Sequence, residues 1–203
     1  MRMRRKKNLD EKLLALSNLT VKYSEERDYR KAAENPEYMD FEKIFKNNNP
    51  VHLEVGCGKG QFVFEIAKQN PNINFLAVEK SENVIFAACK KCENLSNVYF
   101  LNSGAEYLPK YIKPASISRI YLNFSCPFPK KSYASHRLTA THFLKIYDGL
   151  MTDEAEIHQK TDNRGFFEFS LEKFSDYGFA LKNISLDLHN SDFEDNIVTE
   201  YES

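Results

Sequence analysis

The stretch "VHLEVGCGKGQFVFEIAKQ" (residues 51–69) decides the fold class. Five residues with the character of a buried strand precede three glycines at alternate positions, and a segment with helical periodicity follows. A glycine-rich turn between a strand and a helix is typical of sheets that bind ligands beyond the carboxyl ends of their strands. The stretch therefore predicts the first strand–turn–helix unit of an α/β domain.

The same alternation continues towards the C-terminus. Further strands are predicted at 73–78, 97–101, 118–124 and 155–161, and helical stretches at 82–94 and 138–150. The segment 105–112 separates two of these strands, and 166–178 precedes the last part of the chain. The segments "ALKNISLDLH" (180–189) and "NIVTEY" (196–201) have the pattern of closing strands. Strands that alternate with helices form a parallel sheet covered on both faces. The predicted fold is a doubly wound, mostly parallel α/β sheet with an antiparallel C-terminal edge.

The composition fits a globular chain with a charged N-terminus. The 203 residues are 42% hydrophobic and 28% charged, and the net charge of −1 does not by itself indicate a nucleic-acid binder. The first seven residues nevertheless hold five cationic side chains: Arg2, Arg4, Arg5, Lys6 and Lys7. Such a block is typical of a nucleic-acid arm or of a solubilising tail. We predict a basic extension over residues 1–45 and a main domain over 46–203.

The lengths of the apolar runs and the spacing of the cysteines indicate where in the cell the protein is expected. The longest apolar runs are as short as strands, so no transmembrane helix or signal peptide is predicted, and the protein is expected to contact no membrane. The four cysteines lack the spacing of a disulfide framework, which favours the cytoplasm. Cys89 and Cys92 form a lone CxxC pair without a second ligand pair, so no metal site is predicted. Monomer and homodimer are both compatible with the sequence.

The glycine turn and two acidic residues indicate a nucleoside cofactor. Gly56, Gly58 and Gly60 have the GxGxG spacing rather than the GxGxxG spacing of dinucleotide folds. Glu54, just before the turn, would repel a phosphate but would attract an amino or sulfonium group. Glu79 ends the next strand, 21 residues after Gly58, where a carboxylate can accept both ribose hydroxyls. Together they favour S-adenosylmethionine over a nicotinamide cofactor, with the loop after the third strand against the adenine.

A second turn, "YLNFSCPFPKK" (121–131), follows the fourth strand, where the methyl acceptor is expected. Pro127 and Pro129 restrict the backbone around Cys126 and Phe128. Phe128 offers a stacking face for a base, and the lysines that follow offer phosphate contacts. The turn therefore predicts a nucleic-acid substrate.

Six stretches carry a resemblance to a known family. They are "HLEVGCGKGQF" (52–62), "FLAVEK" (75–80), "RIYLNFSCPFPKK" (119–131), "RLTATHFL" (137–144), "KTDNRGFFEFSL" (160–171) and "TEYE" (199–202). Together they resemble the bacterial tRNA (guanine-N7-)-methyltransferase family over essentially the whole chain. The resemblance implies a Rossmann-like methyltransferase domain over 46–203, S-adenosylmethionine as cofactor and tRNA as partner. It also implies methyl transfer to N7 of a guanine in the variable loop.

The resemblance also implies roles for individual residues. The cofactor contacts implied are Glu54, Gly56, Gly58, Glu79, Gly104, Ala105 and Cys126, the last at the family's catalytic position. The substrate contacts implied are Lys130, Asp162, Thr199, Glu200, Tyr201 and Glu202. For these to act together, Thr199 and Glu202 must come near the turn at 123–131.

Two positions depart from the family's pattern. Cys126 stands where the family has an aspartate before its Pro-aromatic-Pro turn, and Gly104 stands where it has a second acid. A thiol donates and accepts hydrogen bonds weakly, whereas a carboxylate accepts them strongly. Three functions stay open: an active tRNA guanine-N7 methyltransferase, a non-catalytic relative that binds tRNA or the cofactor, and a methyltransferase acting on an exocyclic amine. For Cys126 itself the alternative is a buried filler, with Asp162 orienting the guanine.

Overall fold

The sheet has six parallel strands in the order β1-β4-β3-β2-β5-β6. The computed structural model describes residues 6–21, 26–188, 190, 196, 197 and 199. The strands are β1 (Leu19–Val21), β2 (Val51–Val55), β3 (Asn74–Val78), β4 (Val98–Asn102), β5 (Ile117–Asn123) and β6 (Met151–Lys160). The order reverses direction beside β2, so the carboxyl ends of β2 and β5 form the crevice where such sheets bind ligands.

Helices cover both faces of this sheet. They are α1 (Leu9–Leu14), α2 (Tyr29–Glu34), α3 (Phe41–Phe45), α4 (Gln61–Gln69), α5 (Glu82–Lys91), α6 (Leu108–Tyr111), α7 (Thr141–Leu150) and α8 (Arg164–Tyr177), with short 3-10 helices at Ala105–Tyr107 and Lys131–His136. Buried side chains of α1, α4 and α5 pack with Phe75 and Ala77 of β3. Those of α3, α6, α7 and α8 pack with Leu76 and Val78 of the same strand. Successive residues of a strand point to opposite faces, so β3 is apolar from Phe75 to Val78 because it contributes to both layers.

The predicted doubly wound α/β fold is confirmed, with one correction at the C-terminal edge. The segment predicted as a strand at 180–189 is not a strand over residues 180–188. Leu181, Ile184 and Leu186 within it expose 41%, 53% and 89% of their surface. Its alternating apolar side chains therefore do not face a described core, and alternation without a buried face does not make a strand. The other predicted closing strand, 196–201, lies mostly outside the described residues.

The N-terminal extension contributes a strand to the sheet. β1 pairs with β4 in parallel, with Leu19 opposite Phe100. Leu9 and Leu13 are buried in the same core cluster as α5, and the ammonium of Lys6 lies over the ring of Phe86, 4.9 Å from its centroid. Of the predicted basic arm, Arg2, Arg4 and Arg5 lie outside the described residues. The boundary between 45 and 46 stays a prediction, since the described part of the extension packs on the sheet.

No helix among the described residues is long and apolar enough to cross a membrane. In the same part of the chain no group of His, Cys, Asp and Glu side chains could hold a metal ion. Cys89 and Cys92 are free and fully buried, and burial raises the pKa of each thiol to about 12. Both thiols therefore stay protonated and serve as small apolar core residues.

Candidate active site

The glycine turn after β2 is held against the end of β3. The N–H groups of Gly56 and Cys57 donate to the carbonyl of Val78, at 2.8 and 3.0 Å. Gly60 then begins α4 as its N-cap, and its N–H donates to the carbonyl of Cys57. These backbone hydrogen bonds hold the turn between the ends of β2 and β3.

The glycines of this turn have different reasons to be glycine. Gly58 and Gly60 both have positive φ, at +57° and +78°, where a side chain is strained. A Cβ at Gly58 would meet no atom within 4 Å, so the space above it is open to a ligand. A Cβ at Gly60 would lie 2.8 Å from the Cβ of Ala88 on α5. The spacing of the three glycines predicts a cofactor turn; at Gly60 the reason for glycine is instead the close packing of α5.

Glu54 is a buried carboxyl with one free oxygen. Only 3% of its surface is exposed, and its Oε1 accepts from the side-chain amide of Asn123 at 3.2 Å. Its Oε2 is buried and has no hydrogen-bond partner among the described residues. Burial raises the pKa of this carboxyl to about 7, although Asn123 and the charge of Lys160 act in the opposite direction. A buried carboxyl oxygen without a hydrogen-bond partner is matched to a cationic group on a ligand. This carboxyl therefore fits the ammonium or sulfonium of S-adenosylmethionine.

Glu79 lies at the carboxyl end of the neighbouring strand β3 and is held in place on two sides. Its Oε1 accepts from the N–H of Ser81 at 2.8 Å, and its own carbonyl accepts from the buried side chain of Asn102 at 2.7 Å. The carboxylate is only partly buried, so its remaining lone pairs stay accessible to a ligand. This geometry suits an acceptor for ribose hydroxyls.

Gly104 and Ala105 follow β4, the next strand outward. Gly104 has φ −77° and ψ 149°, extended backbone that any residue adopts, so glycine is not needed for its conformation. A Cβ there would come within 2.7 to 2.9 Å of the carboxyl group of Glu106. Glu106 was not among the predicted site residues, because the position of its carboxyl group depends on the path of the 3-10 helix and not on a sequence motif.

The acceptor turn after β5 is clamped by Arg137. The guanidinium Nε donates to the carbonyl of Pro127 at 2.8 Å, and Nη2 donates to that of Phe128 at 3.0 Å. The same guanidinium lies over the ring of Phe169 on α8, 4.4 Å from its centroid. Phe128 is held at φ +41°, a conformation that non-glycine residues rarely adopt. Arg137 thus fixes the turn to α8, a role that its place in the sequence did not predict.

Cys126 lies on this turn as an exposed free thiol. The alternative reading of Cys126 as a buried filler is therefore wrong. Lys130, four residues later, and Asp162, after β6, are also exposed. All three side chains are accessible to a macromolecule, and their roles stay predictions.

Lys160 brings the C-terminal segment towards the site. It is the last residue of β6, opposite Asn123 of β5. Its ammonium donates to the side chain of Asn196 at 3.0 Å and to the carbonyl of Ile197 at 2.7 Å. Thr199, two residues further on, is 4% exposed, whereas Glu200, Tyr201 and Glu202 lie outside the described residues. Lys160 was missed by the sequence analysis, although it opens the "KTDN" stretch.

Comparisons with known proteins show the family of the chain. The family model described as "Putative methyltransferase" matches residues 48–203. The chain is 46% identical over 204 residues to the tRNA (guanine-N(7)-)-methyltransferase of Bacillus subtilis (strain 168), covering 100% of this chain and 91% of that protein. It is 43% identical to the protein of the same name from Clostridioides difficile (strain 630), with the same coverage.

Solved structures are similar in fold. An antibiotic-related methyltransferase superposes with a TM-score of 0.54 at 20% identity, covering 70% of this chain and 75% of that one. The 16S rRNA methyltransferase KamB superposes with a TM-score of 0.50 at 20% identity and the same coverage. At this identity the likeness shows the methyltransferase fold alone.

Proposed function

Because the chain belongs to the tRNA (guanine-N7-)-methyltransferase family, we propose that it transfers a methyl group from S-adenosylmethionine to N7 of a guanine in the variable loop of tRNA. The observation that carries the proposal is the buried carboxyl of Glu54, whose Oε2 has no hydrogen-bond partner in the described part of the chain. Glu54 lies in β2, four residues before Gly58, where a Cβ would meet no atom within 4 Å, and Glu79 directly follows the adjacent strand β3. A cationic nucleoside matches all three features.

On the cofactor side, Glu54 would pair with the positive end of S-adenosylmethionine, and Glu79 would accept the ribose hydroxyls. When bound, S-adenosylmethionine supplies a methyl group on a cationic sulfur, and transfer returns the electron pair of the broken S–C bond to that sulfur. Gly56 and Gly58 leave room for the backbone to approach the ligand, and Gly104 and Ala105 are assigned to the base. Glu54 also gains a counter-charge, which offsets part of the cost of its burial.

On the acceptor side, the chain needs no general base. Guanine N7 carries a lone pair and loses no proton, so the new N–C bond forms as the S–C bond breaks. The residues of the turn therefore act by positioning the base. Phe128 would stack on the guanine, and Lys130 would bind a phosphate. Asp162 and Thr199–Glu202 would accept from the Watson–Crick N–H groups of the base.

The same proposal assigns the remaining parts of the chain. Residues 46–203 would form the methyltransferase domain, and the basic extension over 1–45 would hold tRNA phosphates. Lys6 and Lys7 are exposed, which leaves both side chains accessible to a phosphate. A protein acting on tRNA would work in the cytoplasm.

A second candidate is a relative that binds tRNA and S-adenosylmethionine without methyl transfer. The observation that favours it is the exposed thiol of Cys126 at the position of the family's aspartate. A thiol there cannot supply a charge-assisted hydrogen bond to the base or the cofactor.

Single-turnover methylation separates the two candidates. The purified protein is mixed with an unmodified tRNA transcript and methyl-labelled S-adenosylmethionine, and the labelled base is identified. Label at guanine N7, lost when the variable-loop guanine is replaced by adenine, supports the methyltransferase. Binding of both ligands without transfer supports the second candidate, and label on an exocyclic amine contradicts both. Glu79→Ala serves as the site variant and should weaken cofactor binding by roughly 1.5–3 kcal/mol.

A further inference from the structure

The carboxyl group of Glu106 occupies the space that a side chain at position 104 would enter. A Cβ built on Gly104 lies 2.7 Å from Oε2, 2.8 Å from Cδ and 2.9 Å from Oε1 of Glu106. The backbone of Gly104 is extended and imposes no need for glycine. The absence of a side chain at 104 is therefore what lets the Glu106 carboxyl fold over the end of β4.

This position is the third in a row of carboxyl groups along adjacent strand ends. Glu54 belongs to β2, Glu79 follows β3, and Glu106 lies in the 3-10 helix after β4. β2 pairs with β3, and β3 pairs with β4, so the three loops lie side by side. A ligand with its cationic end at Glu54 and its ribose at Glu79 places its base over the loop after β4.

The Glu106 carboxylate is available to such a base. Its side chain is partly buried, and it forms no hydrogen bond or ion pair with the described residues. Besides burial, its negative charge raises the pKa of Tyr147 and acts on His142 in the same direction, so the carboxylate lies close to α7, which carries both residues. A partly desolvated acceptor without a protein donor is matched to a donor on a ligand.

We propose that Glu106 determines the base specificity of the cofactor site by accepting a hydrogen bond from the exocyclic amine of adenine. Adenine presents an N–H donor at position 6, whereas hypoxanthine presents a carbonyl acceptor there. A carboxylate binds the first and repels the second. The inference rests on the proposed function, since it takes S-adenosylmethionine as the ligand of this site.

Calorimetry with two product analogues tests the inference without any methyl transfer. Affinities for S-adenosylhomocysteine and S-inosylhomocysteine are measured for the wild type, Glu106→Ala and the double variant Gly104→Asp/Glu106→Ala. The wild type should prefer the adenine compound by roughly 10- to 150-fold, the range of one charge-assisted hydrogen bond. Glu106→Ala should bring the ratio of affinities close to one. The double variant should restore the preference, because an aspartate at 104 enters the space that Glu106 has left.

A matched control and the contrary outcomes complete the design. Glu93→Ala removes an exposed carboxylate just beyond the C-terminal end of α5, where it pairs with Lys90, and it should keep the wild-type ratio. Equal binding of the two analogues by the wild type, or an unchanged preference in Glu106→Ala, overturns the assignment of Glu106 while leaving the proposed function intact. Failure of the wild type to bind S-adenosylhomocysteine at all overturns the proposed function and this inference with it.

Discussion

The buried carboxyl of Glu54 makes the stability of the ligand-free protein depend on pH in a defined direction. Burial raises its pKa from the ordinary value of 4.5 to about 7. The folded state then holds a proton that the unfolded chain releases, so the free energy of unfolding falls as pH rises through this window. This difference in pKa corresponds to a full penalty of about 3 kcal/mol, most of which develops between pH 5 and pH 8.

The substitution Glu54→Gln isolates this contribution. Glutamine keeps an oxygen acceptor for Asn123 but does not titrate. The stability of the variant relative to the wild type should therefore rise by roughly 2–3 kcal/mol between pH 5 and pH 8. Urea unfolding of both proteins across that range measures the difference. His52, whose pKa is lowered to about 4 by burial, has the opposite pH dependence but contributes equally to both proteins. Two stability curves that stay parallel across the range would refute the assignment of a buried, protonated Glu54.

Three further predictions concern the two turns. Gly60→Ala places a Cβ against Ala88 at positive φ and should cost about 2–4 kcal/mol of stability in urea unfolding. Gly58→Ala is also at positive φ but faces open space, so it should cost about 1–2 kcal/mol and mainly weaken cofactor binding. Equal losses of stability would contradict the different reasons given for the two glycines. Arg137→Lys cannot reach both carbonyls of the acceptor turn, so single-turnover methylation should fall at least ~10-fold with cofactor affinity unchanged; an unaltered rate would remove Arg137 as the clamp. Cys126→Asp should raise the methylation rate by about 10- to 150-fold. Its melting temperature should not fall, because the position is exposed. Cys126→Ser should change the rate little, and a slower aspartate variant would contradict the role assigned to position 126.

The central strands could be predicted because burial on both faces leaves short runs of mostly apolar residues, bounded by turn residues. The strand predicted at 51–55 has the bounds of β2, and the strand predicted at 73–78 differs from β3 by one residue. β1 was not predicted, since three residues within a polar segment carry no usable period and become a strand only by pairing with β4. The failure at 180–188 is the converse, an alternating pattern whose apolar side chains stay exposed. Strand formation is decided by the neighbour that a segment meets, and a sequence pattern does not name that neighbour.

The residues of the candidate site also divide into those that the sequence predicts and those that it does not. Glu54 and Glu79 could be placed because residues at the carboxyl ends of parallel strands meet at one edge whatever their rotamers. Glu106 and Arg137 could not, because both act through side chains that reach back across a turn to a position two and about ten residues earlier. Such contacts depend on the path of the loop and on the rotamer chosen, and neither leaves a periodic trace in the sequence.

The pairing of β1 with β4 sets an order in which the protein can assemble during its synthesis. Val21 lies opposite Asn102, so the ribosome must add 81 residues before the first strand can meet its partner. At 5–20 residues per second this delay lasts roughly 4–16 s. β2, β3 and β4 emerge within that interval and can form the sheet from its middle outward, while Leu9, Leu13 and Leu19 stay without their core. β1 is thus made first of the six strands in the described sheet but is fixed only after β2, β3 and β4 have emerged, and it closes the sheet edge next to the strand that carries Asn102.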